Sequence, residues 1–348
     1  MMSEEKKHIL TLYPDELELQ FAKWNEKSYR VKQLCNWLYQ NKIIDLQKMG
    51  NLSQALRNHL AEQFSFYLPV ILSTSLSKDK SIKYLLEMED KERIEMVVMP
   101  GEKKQTLCIS TQIGCARNCL FCATGKLGLK RNLSISEIVS QVYLAQQLHK
   151  TLTNIVFMGM GEPLDNLENV IQAIRLLQHD ALFSFSPRRI TVSTAGVVPN
   201  IYTLADSNLK LKLAVSLNAV FDEKRNRLMP VNKLYPLAEL KKSLLYFTKK
   251  NPFRVTLEYV LLKDFNMGDD DISELRKFSN DLSCKINLIA WNPVKDLPFE
   301  APEENDVNSF REKLHSLQAA ITLRSSRGAD INAACGQLAA EYKSCDNK

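Results

Sequence analysis

Apolar and aromatic positions near the start of the chain recur every three or four residues: Phe21, Trp24 and Tyr29, then Leu34, Trp37 and Leu38, then Leu52, Leu56 and Leu60. That spacing places them on one face of a helix, and three short helices are predicted. After Pro69 the texture changes to two strand-like runs, residues 81–87 and 93–99, separated by the polar Glu89-Asp-Lys-Glu92, which predicts a β-hairpin. From about residue 104 strand-like and helix-like stretches alternate. The strand candidates are 106–110, 154–158, 189–193, 211–216, 254–260, 285–290 and a weaker 320–324. Between the first two, 136–149 is amphipathic, with Ser134 or Ser136 as N-cap and Glu137 in the first turn. Such βαβα alternation implies an α/β fold with a parallel sheet and helical crossovers. Three segments follow: a helical accessory domain over 1–75, a β-hairpin linker over 76–103 and an α/β core over 104–348.

The short motifs fall where those strands end. Residues 114–122 follow the first strand, Gly159-Met-Gly161-Glu162-Pro163 the second, Ser193-Thr-Ala-Gly196 the third, Ser216-Leu217-Asn218 the fourth and Trp291-Asn292-Pro293 the sixth. Chemistry gathers at the C-terminal strand ends of β/α barrels, but also of open parallel sheets, so the pattern leaves both architectures open. In the second motif the glycines let backbone approach a ligand closely, and Glu162 can accept hydrogen bonds from an ammonium group.

Composition narrows the class. With 348 residues and 45% hydrophobic content the chain can bury a sizeable core. No apolar run has membrane-span length and the first residues lack a secretory pattern, so a cytoplasmic protein is expected. The net charge of +6 permits RNA binding without demonstrating it. The Tyr, Trp and Lys/Arg mix of 29–39 can stack on bases and touch phosphates, or form the core and polar outside of a helical bundle.

Among eight cysteines, three stand out in Cys115-Ala-Arg-Asn-Cys119-Leu-Phe-Cys122, a C-x3-C-x2-C run. Three thiols this close can hold three corners of an iron–sulfur cube and leave one iron open to a substrate or cofactor. A zinc site would want a fourth Cys or His nearby, and a disulfide pair would leave one thiol over. Of the rest, Cys35 and Cys284 read as small buried hydrophobes and Cys345 as an exposed bystander; on residue type alone Cys108 and Cys335 read no differently.

The triplet resembles the signature of radical S-adenosylmethionine enzymes. The longer string from Gly114 to Leu133, together with Tyr29-Arg30-Val-Lys-Gln33 and Ala334-Cys335-Gly336-Gln337-Leu338, is similar to the RlmN/Cfr family of RNA adenosine methyltransferases. The resemblance implies an incomplete (β/α)6 TIM-like barrel of radical S-adenosylmethionine type, with the small N-terminal module helping to engage RNA. It implies a [4Fe-4S] cluster on Cys115, Cys119 and Cys122, and S-adenosylmethionine lined by Gly161, Glu162, Ser193, Ser216, Leu217, Asn218 and Asn292. It further implies that Cys335 carries the methyl group, Cys108 resolves the protein–RNA adduct through a disulfide, and Glu95 accepts the proton.

The activity so implied is methylation of C2 of adenosine 2503 in 23S rRNA, before full ribosome assembly, and of adenosine 37 of tRNA, with two S-adenosylmethionine molecules consumed per methylation. The chemical reason for a radical is that C2 of adenine is electron-poor and has no acidic proton, so it cannot serve as nucleophile toward a sulfonium. An electron donor such as flavodoxin or ferredoxin is required, no membrane is involved, and a monomer is expected. The alternatives are Cfr-like methylation of C8 of the same rRNA adenosine, or a non-catalytic RNA-binding paralogue. Three departures from the family pattern stand out: Asn218 where many relatives have His, Ala290 where they have Pro, and Asn332 where they have Asp. Asn332 cannot ionise, which puts in doubt any role of that carboxylate in tuning Cys335 or ordering its loop.

Overall fold

The computed structural model describes residues 6–102, 104–294, 297–315 and 319–340; Cys345 lies outside them. Three helices form the N-terminal part: α1 (Pro14–Lys23), α2 (Tyr29–Cys35) and α3 (Gln54–Gln63). Phe21, Leu34, Leu38, Leu52, Leu56 and Leu60 are buried as their spacing requires. Ser53 caps α3 by accepting from the Leu56 amide. This layer packs on the core through Tyr39 against Phe183, with ring centroids 5.1 Å apart.

One ten-stranded sheet organises the rest, and its spatial order follows the chain. Its strands are β1 (Val70–Leu76), β2 (Ile82–Glu87), β3 (Arg93–Met99), β4 (Gln105–Cys108), β5 (Leu152–Phe157), β6 (Ile190–Thr194), β7 (Lys212–Ser216), β8 (Val255–Leu261), β9 (Cys284–Ala290) and β10 (Ala320–Leu323). From β4 to β10 every neighbour is parallel, linked by helical crossovers. The first crossover helix, α4 (Ile135–Leu148), starts at Ser134, whose hydroxyl accepts from the Glu137 amide while the Glu137 carboxylate accepts from the Ser134 amide. The sheet curls enough that Cys108, which ends β4, and Arg324, just past β10, line one cavity. The result is an α/β fold on a curled parallel sheet, with a seventh parallel strand at its edge beyond the six that the resemblance implies.

The expected hairpin is instead part of a three-stranded antiparallel wing. Strand β1 pairs with β2, β2 with β3, and β3 continues onto β4 with Val97 opposite Cys108. Strand β1 was not anticipated because Val-Ile-Leu-Ser-Thr-Ser-Leu has no period-two burial: it is a half-exposed edge strand with a register shift between Ile71 and Ser73.

Candidate active site

The cysteine loop leaves the sheet through a small clasp in which Gln112–Gly114 pairs antiparallel with Leu129–Asn132. Gly114 sits at φ +77, and a Cβ there would lie 1.8 Å from the Gly128 carbonyl oxygen, so only glycine lets the two arms cross. Within the clasp, Cys115, Cys119 and Cys122 line one cavity with about 1080 Å³ of empty space, open to solvent. Arg117, inside the loop, makes a two-pronged ion pair with Asp165. The Trp291 indole donates to the Phe121 carbonyl at 3.2 Å. Burial pushes all three thiols up, Cys115 to about 12. The amide of Arg117 donates to Cys115 Sγ at 3.5 Å, and amides of Gly125 and Thr124 point at the Cys122 sulfur. Among the described residues no three His, Cys, Asp or Glu converge tightly enough for a single metal ion. A thiol-only donor set spread along one wall, with amides turned toward sulfur, fits a polynuclear iron–sulfur cluster.

The loop after β5 with Gly161 and Glu162, and the C-terminal ends of β6 and β7 with Ser193 and Ser216, build the neighbouring wall, and Asn292 joins from beyond β9. Gly161, at φ +99, packs where a Cβ would meet Gln112 at 2.5 Å. Glu162 is 3% exposed. One of its carboxylate oxygens accepts from the Leu164 amide at 2.9 Å and the other from the Ala195 amide at 2.7 Å. Burial nevertheless raises its pKa to about 7. Leu217 and Asn218 are not part of this wall. Asn218, at φ +56, turns behind it: its carbonyl oxygen accepts from Asn266 Nδ2 at 2.7 Å and its Oδ1 from the Val260 amide at 2.9 Å.

Cys335 is exposed and lies on the wall shared by two cavities, one holding the three loop thiols and the other Cys108. Cys108 is buried, and desolvation first, with Cys335 nearby second, pushes its thiol up to about 12. The segment carrying Cys335 is strapped down along its length by the antiparallel wing. The Gly328 amide donates to Asp79 at 2.9 Å, and Asp330 accepts from the Ser77 hydroxyl and the Lys78 amide. Lys83 donates to the Asn332 carbonyl at 3.1 Å. From the core side, Ala123 donates to the Gly336 carbonyl at 2.7 Å and Asn292 to that of Cys335 at 3.3 Å. Glu95 is 1% exposed and does not line either cavity. Its Oε1 pairs with Lys83 at 2.7 Å, and its Oε2 accepts the amides of Ala339 and Ala340 at 2.9 and 3.1 Å.

Residues 109–278 match the radical SAM superfamily, and residues 7–65 match the ribosomal RNA large subunit methyltransferase N-terminal domain. The chain is 41% identical over 339 residues to a probable dual-specificity RNA methyltransferase RlmN of Dictyoglomus turgidum, covering 96% of this chain and 97% of that protein. A protein of the same name from Thermosipho melanesiensis is 43% identical over 335 residues, covering 95% and 98%. Among solved structures, a radical SAM methyltransferase from Sphaerobacter thermophilus superposes with a TM-score of 0.92 at 39% identity, over 96% of this chain and 100% of that one. The chain belongs to the RlmN family of radical S-adenosylmethionine RNA methyltransferases.

RlmN-family chemistry draws on S-adenosylmethionine and an iron–sulfur cluster, and the residues on this cavity wall suit both. The sequence reading missed several side chains that shape the RlmN-type site. Arg225 is fully buried and gives hydrogen bonds to the carbonyls of Leu217, Ala195 and Ser216 and to Asn232 Oδ1, tying the ends of β6 and β7 to the following loop. In sequence it lies in Asp222-Glu-Lys-Arg225-Asn-Arg-Leu228, which reads as a solvated helix. Arg324 lines both cavities. In the N-terminal module Tyr39 is buried and Arg30 bonds Gln33 and the Asn51 carbonyl, which leaves Tyr29, half-exposed with Arg30 over its ring, and the part-buried Trp37, whose indole donates to Asn51 Oδ1, as the aromatics toward solvent in that motif. Among the described residues no helix is long and apolar enough to cross a membrane.

Proposed function

We propose that the protein methylates C2 of adenosine 2503 in 23S rRNA and of adenosine 37 in tRNA, through a methyl group carried on Cys335. The observation that supports this reading is the position of Cys335 between a cavity walled by three cysteines and a second cavity that contains Cys108. Cys115, Cys119 and Cys122 would hold a [4Fe-4S] cluster beside S-adenosylmethionine, and the two together would supply the one-electron chemistry that takes hydrogen from a methyl group. Cys335, exposed at the cavity wall, first takes a methyl group on sulfur as nucleophile. The same cavity would take a second S-adenosylmethionine for the radical chemistry. Once its methylene carbon is bonded to adenine, Cys335 holds the base on the cavity side open to Cys108. Cys108 then attacks the Cys335 sulfur, a disulfide forms, and the carbon–sulfur bond to the RNA breaks with its electron pair leaving on the methylene carbon, which gains a proton to become the methyl group. Glu95 takes the adenine proton. To meet it, its carboxylate must first release Lys83 or the amides of Ala339 and Ala340.

The target base must leave its stack to enter the cavity. The helical module over 1–75 contributes RNA contacts, and an acidic one-electron carrier of the flavodoxin or ferredoxin kind supplies reductant to a monomeric enzyme. Anaerobic turnover on unmodified 23S rRNA and tRNA, with methyl-deuterated S-adenosylmethionine and nucleoside mass mapping, tests the reading. Label at adenine C2 is expected. Label at C8 would assign the Cfr-like reaction, and no label in RNA would leave a binding paralogue.

A further inference from the structure

Strand β8 turns Glu258 and Val260 into the thiol-lined cavity, while Tyr259 between them faces out and stacks on Phe310 with ring centroids 6.0 Å apart. Glu258 is only 7% exposed. Its Oε1 accepts from Asn287 Nδ2 at 3.1 Å, but its buried Oε2 has no hydrogen-bond partner. Buried carboxylate oxygens are rarely left without a donor, and one that faces a cavity is poised for a donor on a ligand. The charge of Arg324, and more distantly Lys285, acts on this carboxyl and partly offsets the rise that burial imposes.

Its neighbours indicate which ligand. Sheet register sets Glu258 opposite Ser216 on β7 and opposite Asn287 on β9. Ser216 and Ser193 stand on the same wall as the three loop thiols. The second cavity, where Cys108 and Cys335 meet and where an adduct must lie to be resolved, does not include Glu258. Glu258 therefore belongs to the cofactor's half of the site. Register places Ser216 on the strand beside Glu258 and Ser193 one strand further on, and a carboxylate sharing its cavity with two serine hydroxyls suits a vicinal diol, the donor pair of the cofactor's nucleoside.

We propose that Glu258 accepts a hydrogen bond from the ribose hydroxyls of bound S-adenosylmethionine and so positions the cofactor nucleoside. This rests on the reading that the thiol-lined cavity is the cofactor site. The test is calorimetric binding of S-adenosylhomocysteine, and of its 2′-deoxy and 3′-deoxy analogues, to the anaerobically reconstituted full chain. Glu258→Leu should weaken S-adenosylhomocysteine roughly 10- to 100-fold, the range of a charge-assisted hydrogen bond. Glu258→Gln, which keeps an acceptor oxygen and the side-chain shape, should recover most of that loss. In the wild type at least one deoxy analogue should bind comparably weakly, and in Glu258→Leu it should bind no worse than the parent. Iron content and affinity for a tRNA anticodon stem-loop should be unchanged in both variants.

Unchanged nucleoside affinity in Glu258→Gln and Glu258→Leu, or deoxy analogues that bind wild type as well as the parent does, would overturn the proposal. So would a selective loss of RNA affinity, which would assign the carboxylate to the target base. If reconstituted wild type binds no S-adenosylhomocysteine at all, the cofactor-site reading itself fails, a result distinct from any of these.

Discussion

Replacing Glu95 by Gln probes the strap over Cys335 and the proposed proton acceptor at once. The carboxylate serves two sets of donors, Lys83 on one oxygen at 2.7 Å and the amides of Ala339 and Ala340 on the other. Lys83 and Glu95 side chains are 15% and 2% exposed, so solvent screens this pair little. Gln keeps one acceptor oxygen and turns an NH2 toward either the ammonium or the two amides, so one charge-assisted interaction is lost. That costs about 2–3 kcal/mol. Because Ala339 and Ala340 are docked through this contact, the cost falls on local opening, and their hydrogen exchange should speed roughly 30- to 150-fold. Exchange by mass spectrometry over 333–340, with 135–148 as internal reference, reads the effect. With RNA present the same variant should accumulate the protein-linked form, seen as a denaturation-resistant complex. Exchange within about twofold of wild type would refute the strap, taking ~0.4 kcal/mol as the least effect worth reading. Normal turnover without a trapped complex would refute the proton role.

Arg225→Met should be the most destabilising single change considered, by about 3–5 kcal/mol, because it strips donors from buried carbonyls of Ala195, Ser216 and Leu217. A urea midpoint equal to that of wild type would contradict it. Gly161→Ala puts a Cβ 2.5 Å from Gln112 at φ +99, and should cost about 1–3 kcal/mol and weaken S-adenosylhomocysteine binding; unchanged values in both would argue against a close approach there. For Glu162, burial raises the folded pKa from 4.5 to about 7, so the folded state binds the extra proton between those values. Stability of the metal-free protein should therefore fall by about 2 kcal/mol as pH rises from 5 to 7 and level off about one unit higher. Glu162→Gln should remove that slope in urea titrations; an unchanged slope would assign it elsewhere.

Local chemistry was legible in the sequence wherever it was carried by residues close together. The C-x3-C-x2-C run, the capping pair at Ser134 and Glu137 and the strand-end position of Gly161-Glu162 each need only a few neighbouring residues. What stayed hidden depends on partners far along the chain. Glu95 looks like a solvent-facing strand carboxylate until the amides 244 and 245 residues away are brought to it. Arg225 and Glu258 look like surface charges because their sequence neighbourhoods are polar or alternating, and only closure of the sheet buries them. Leu217 and Asn218 follow a strand end, yet a left-handed turn at Asn218 carries them behind the wall. That same conformation suits asparagine, and the Asn332 segment is likewise left-handed, with its order supplied by Asp330, Asp79 and Lys83 rather than by a carboxylate at 332.

The most direct measurement follows one labelled methyl group. After anaerobic incubation of reconstituted protein with methyl-deuterated S-adenosylmethionine and reductant, the peptide containing Cys335 is isolated before and after RNA is added. The account predicts label on Cys335 sulfur first, its loss when RNA arrives, and deuterium in adenosine. Methylated RNA formed by Cys335→Ala, or formed by wild type while that peptide never carries label, would contradict it.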